Sequence, residues 1–198
     1  MMSLKLKKYQ LLLLAVLSGV LMSLSWFPYG YAPVMFIAWI PLLIVEKYIG
    51  DNPSFFSRGS SVLYSYVTLI IWNVVDTWWV AMSTVPGGIA AFVLNALFMS
   101  LVFGLFHVVR TKVFKSYNGY FTLIFFWIAY EYLHLDWDLS WSWLVLGNVF
   151  APTYTWVQWY EFTGVFGGSL WVLLVNILIF IALTKYSEYK IKLLIKFC

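Results

Sequence analysis

The residues of this chain that could do chemistry are few and sit close together. Glu131 is the one acid set inside the apolar run FFWIAYEYLHL, and His134 follows three positions later. Residues three apart share a helix face, so the two would form a polar pair. Ionisable groups inside a membrane are costly and usually face the interior of a bundle, which makes the pair a candidate wall for a substrate cavity. The other reading is a helix-end acid near an interface, satisfied by water or a neighbouring amide. The residues alone leave both open. His134, Asp136 and Asp138 do not have the spacing of a helical zinc site, so no metal or other cofactor is expected and the two aspartates read as a solvated loop. Asp76, ahead of Trp78 and Trp79, reads as a polar anchor at a helix end. The single cysteine, Cys198, leaves no partner for a disulfide within these residues.

Apolar helices must position these groups. The 198 residues are 63% hydrophobic, 22% aromatic and 10% charged, with a mean hydropathy of +0.87. Soluble domains carry roughly a quarter charged residues, and apolar runs of about 20 residues mark helices that cross a bilayer. The expected fold class is therefore all-α: a polytopic membrane helix bundle forming a single domain over 1–198. Breakers divide it into six transmembrane helices at about 9–26, 32–48, 60–79, 89–109, 119–135 and 166–184, with Pro41 as a kink in the second. The first is read as an uncleaved helix rather than a signal peptide.

Charge sets the orientation. All twelve Lys and Arg residues lie in the N-terminal segment, the stretches 47–59 and 110–118, and the tail after 184. Under the positive-inside rule these are cytoplasmic, placing both termini there. The other side receives Asp76, Asp136, Asp138 and Glu161 and an external aromatic segment at 136–165 without any basic residue. The net charge of +4 does not indicate nucleic acid, because the basic and aromatic residues are segregated instead of interleaved. Asn73, Asn95 and Asn176 suit hydrogen bonds between helices, and Gly104 suits close helix approach.

The run SWSWLVLGNVFAPTYTWVQWYEFTGVFGGSLWVLLVNILIF resembles the membrane region of apolipoprotein N-acyltransferase. Trp143 and Gly147 stand where that family has an external Phe-Pro-Trp-x-x-x-Gly element. Gln158 and Trp159 fall in its next segment, and Gly164, Gly167 and Ser169 form the Gly-x-x-Gly-x-Ser that leads into a helix carrying Asn176. Glu131 matches the acid preceding these elements, and LSWFPYGYAPVMFIAWIPLL resembles the family's first hairpin. Ser142 departs from the usual Pro and Asn148 from a common Tyr.

The resemblance implies a bacterial cytoplasmic (inner) membrane protein that works on phospholipid and diacylated lipoprotein substrates. Family catalysis implies a nitrilase-like domain with a Glu-Lys-Cys triad, whose thiolate carries the acyl chain as a thioester. That domain is expected to lie outside these residues, so the chain alone is expected to be inactive, and Cys198 is on the wrong side to be the nucleophile. Glu131, His134, Trp143, Gly147, Asn148, Gln158 and Trp159 are the candidates to face substrate or lipid or to dock that domain. Two other classes compete: a small transporter or channel, and a noncatalytic scaffold for a separate nitrilase-like subunit.

Overall fold

The computed structural model describes residues 6–26 and 30–197, with side chains through residue 189. Phe27, Pro28 and Tyr29 of the expected first turn lie outside the described residues, as do Lys5 and Cys198. Among the described residues every regular element is helical. The main helices are α1 (Lys8–Ser25), α2 (Ala32–Asp51), α3 (Ser60–Thr77), α4 (Val85–Val109, continued by a π turn at Arg110–Phe114), α5 (Thr122–Leu133) and α6 (Val165–Phe197).

Among the described residues, four helices are long and apolar enough to cross a membrane: α1, α2, α4 with its π turn, and α6 up to Tyr189. The other two expected spans are helical as well, but are less apolar or shorter. Ser, Thr, Asn and Asp dilute α3, and α5 has only 12 residues, about 18 Å at 1.5 Å per residue. Residues 83–88, expected as a loop, instead supply the first turn of α4 from Val85 onward. Pro86 lies in that first turn, where its missing N–H costs nothing.

The helices close into a ring in the order α1, α3, α4, α5, α6, α2. From α2, Trp39 reaches into the interior, where it is fully buried and meets Trp127 of α5 edge-on at 4.6 Å and Phe103 of α4 at 6.4 Å. Pro41 cannot donate to the helix ladder and its ring crowds the preceding turn, so α2 breaks at Trp39. The freed backbone groups are taken up by α6. Asn176 Oδ1 accepts from the Trp39 amide at 3.0 Å, and Asn176 Nδ2 donates to the Met35 carbonyl at 2.8 Å. An Asn176→Leu substitution is expected to lower stability by about 2 kcal/mol, read by denaturant unfolding in detergent.

A second amide chain links three more helices. Asn95 Nδ2 on α4 donates to Asn73 Oδ1 on α3 at 2.7 Å, and Asn95 Oδ1 accepts from the Tyr130 hydroxyl on α5 at 2.7 Å. Gly104 faces Val62 so closely that a Cβ would strike it. Small and polar residues bring membrane helices together in this way because burial from lipid offers little gain.

The basic end of the ring holds an ion-pair cluster that the residue pattern does not foretell. Glu46 on α2 is fully buried, and its Oε1 accepts from Arg110 Nε at 2.9 Å and Nη2 at 2.8 Å. His107 Nδ1 stands 2.6 Å from the same oxygen. The Arg110 guanidinium also lies 5.1 Å over the Tyr120 ring.

Candidate functional site

At the opposite end, residues 136–164 form a shelf across the ring. It is built from 3-10 turns at Ser142–Leu144 and Leu146–Val157 and a short helix at Tyr160–Thr163. Pro152 interrupts the longer stretch and Thr153 leaves helical geometry, which keeps the segment from extending as an α-helix. Gly164, at φ 63°, turns the chain into α6, in a left-handed region that favours glycine.

Two contacts fasten the shelf to the bundle, at Glu131 and Ser169, and a third from Tyr160 braces it internally. Glu131 is 2% exposed, and its Oε1 accepts from the Leu146 amide at 2.8 Å and from Trp127 Nε1 at 3.0 Å. The Gly147 amide donates to Ser169 Oγ at 3.1 Å. The Tyr160 hydroxyl donates to the Gly147 carbonyl at 2.9 Å. Burial, with Glu131 nearby, pushes the Tyr160 phenol up, so it stays a donor. At Gly147 the shelf lies directly on the first turn of α6: a Cβ there would run into the Val165 carbonyl.

The sequence-derived candidates separate into groups. Glu131 and Gly147 meet through the Leu146–Gly147 backbone, with Ser169 on the far side of Gly147. Trp159 is half-buried and packs on Trp171 at 5.9 Å. Asn148 and Gln158 are exposed and make local bonds, Asn148 Nδ2 to the Ser142 carbonyl at 3.2 Å and Gln158 Nε2 to the Tyr154 carbonyl at 2.8 Å. Asp136 and Asp138 are exposed.

His134 and Trp143 each line a cavity. Trp143, packed edge-on against Trp79 at 5.1 Å, borders a space of about 670 Å³ together with Ser23, Trp26, Asp76 and Trp78. Asp76 is therefore more than a helix-end anchor: it lies on a cavity wall. His134 is 5% exposed, stacks on Tyr130 and lines a space of about 250 Å³ with Gly87, Ala91, Asn95, Phe98 and Trp141. Glu131 and His134 meet only at a gap of about 10 Å³ and bond to different partners.

Sequence reasoning missed Tyr160 and Trp141. One available signal was spacing: Trp141 and Trp143 are two apart in a non-helical run, yet nothing local says that one serves each cavity. Among the described residues, the grouped side chains hold segments together and present N–H donors. No nucleophile and base are paired there.

A family model described as the apolipoprotein N-acyltransferase N-terminal domain matches residues 18–178. An apolipoprotein N-acyltransferase of Chlorobaculum tepidum is 28% identical over 183 residues, covering 90% of this chain and 33% of its own length. One from Geobacter metallireducens is 27% identical over 172 residues, covering 85% of this chain and 32% of its own. The chain thus spans about a third of the length of the curated relatives it matches. No solved structure matches it.

Proposed function

Because the chain belongs to the apolipoprotein N-acyltransferase N-terminal domain family, we propose that it is the membrane domain of an enzyme that moves an acyl chain from phospholipid to the N-terminal diacylglyceryl-cysteine of lipoproteins. The observation that carries this reading is the match over residues 18–178, joined to two relatives about three times as long. In this reading all six helices cross a bacterial cytoplasmic membrane, with the Glu46–Arg110 end inside and the shelf outside. The segregation of Lys and Arg from the shelf supports that orientation.

The acyl-transfer chemistry is supplied by a nitrilase-like domain, carried on further chain or on a separate subunit, which rests on the shelf. Trp143, Trp156 and Phe162 are 56%, 48% and 86% exposed, and large aromatics offered from a fastened surface suit a protein contact. Glu131 and Gly147 hold that surface in place, while His134 faces the lipid substrates.

Purified 198-residue chain, supplied with phospholipid and a diacylated lipopeptide, is expected to give no N-acylated product by mass spectrometry. Adding a nitrilase-like catalytic domain is expected to restore product and to produce a stable complex. Product from the chain alone would refute the division of labour. Neither binding nor product with the added domain would refute the membrane-domain reading.

A further inference from the structure

The basic end of the ring carries a cavity of about 200 Å³ between the end of α2, the 52–59 connection and the last turns of α4. Gly50, Ser57, Arg58, His107, Thr111 and Lys112 are among its walls. The connection is braced from α2: Asn52 Nδ2 donates to the Tyr48 carbonyl at 2.8 Å, and Phe56 meets the Tyr48 ring edge-on at 5.9 Å. The charge at this cavity is one-sided. All eight acidic side chains of the protein lie among the described residues. Glu46 is taken by Arg110 and His107, while Asp51 and Glu188 lie 2.8 Å and 3.5 Å from Lys47. The other five belong to the shelf end. Arg58 and Lys112 are exposed, and neither forms an ion pair among the described residues.

Two unpaired cations at one cavity repel each other and attract an anion. A phosphodiester suits them, because a guanidinium forks across phosphate oxygens and an ammonium adds a compact charge. What else the ligand carries is set by α4. Leu101, Leu105 and Val108 are 44–56% exposed. With Lys112 they recur every three or four residues, so they share one helix face. Lys112 stands at the polar end of this apolar stripe. A soluble phosphate would meet the cations and leave the stripe bare, whereas a phospholipid covers both. A headgroup that also carries an ammonium would set a third cation beside Arg58 and Lys112.

We propose that Arg58 and Lys112 bind the phosphodiester of an anionic phospholipid, whose acyl chain lies along the face of α4 that carries Leu101, Leu105 and Val108. The seat is at the opposite end from the shelf, so the lipid held there is not the one whose acyl chain is moved. It ties the 52–59 connection to α4 as a resident part of the membrane domain. Its place in the inner leaflet rests on the orientation proposed above, whereas the binding itself does not.

The 198-residue chain in an alkyl glycoside detergent is titrated with phosphatidylglycerol, with phosphatidylcholine of the same acyl chains, and with water-soluble glycerophosphoglycerol. Native mass spectrometry reads retention. The expected result is roughly tenfold tighter retention of phosphatidylglycerol than of phosphatidylcholine. Arg58→Gln and Lys112→Gln each lower that preference, and together they abolish it. Lys8→Gln combined with Lys185→Gln removes two exposed cations outside the cavity and leaves the preference unchanged. Equal retention of the two lipids by the unaltered chain overturns the proposal. So does an equal loss in the Lys8 and Lys185 pair, which would mark diffuse surface charge. Displacement of the lipid by glycerophosphoglycerol at equal concentration would make the headgroup alone the ligand and overturn the lipid reading. Should a substituted chain fail to fold, phosphatidylglycerol with a diazirine in its acyl chain decides on the unaltered chain. Crosslinks are expected within 101–108, and crosslinks confined to other helices overturn the seat. Acyl transfer is not read, so this site can fail while the family function stands.

Discussion

Glu131→Ala is expected to destabilise the protein by roughly 3 kcal/mol, with the loss concentrated at the shelf. The substitution removes the acceptor for two buried donors, the Leu146 amide and the Trp127 indole. Each orphaned donor costs about 1–3 kcal/mol. Glu131→Gln keeps an oxygen at the same place and is expected to recover most of the stability. Hydrogen exchange at Leu146 and Gly147 should accelerate in the Ala variant and stay near the parent rate in the Gln variant. If Gln failed as badly as Ala, the carboxylate charge rather than its acceptor oxygen would be what matters.

Arg110→Met is expected to cost roughly 3–5 kcal/mol, the range for breaking a buried ion pair from one side. Glu46 would stay fully buried with His107 as its remaining close partner. Combining Glu46→Gln with Arg110→Met removes both charges and is expected to return most of that loss. A double-mutant cycle by denaturant unfolding measures the coupling. A double variant no better than Arg110→Met would point to lost packing over Tyr120 rather than to the unpaired carboxylate.

Much of this architecture is legible in the residues. An amide in an apolar helix has few ways to be satisfied except by another helix, and Asn73, Asn95 and Asn176 do reach across. The run from Trp143 to Ser169 also carries its spacing openly, and Gly147 and Ser169 meet. What is not legible depends on partners distant in the chain. Glu46 sits in LLIVEKY and reads as the fraying end of a span, because Arg110 lies 64 residues away. The division of Trp141 and Trp143 between two cavities follows from how the shelf crosses the ring, and no local period encodes that. Hydropathy also places spans without distinguishing the short α5 from its longer neighbours.

The break in α2 sets an order of events during synthesis. The Trp39 amide finds its acceptor 137 residues later in the chain. At roughly 5–20 residues per second, the wait is on the order of ten seconds. Through that interval α2 has a backbone donor and a carbonyl whose partner in the finished fold, Asn176 of α6, has yet to be made. The newborn chain therefore depends for that time on water, lipid headgroups or the insertion machinery, and the arrival of Asn176 completes the interior.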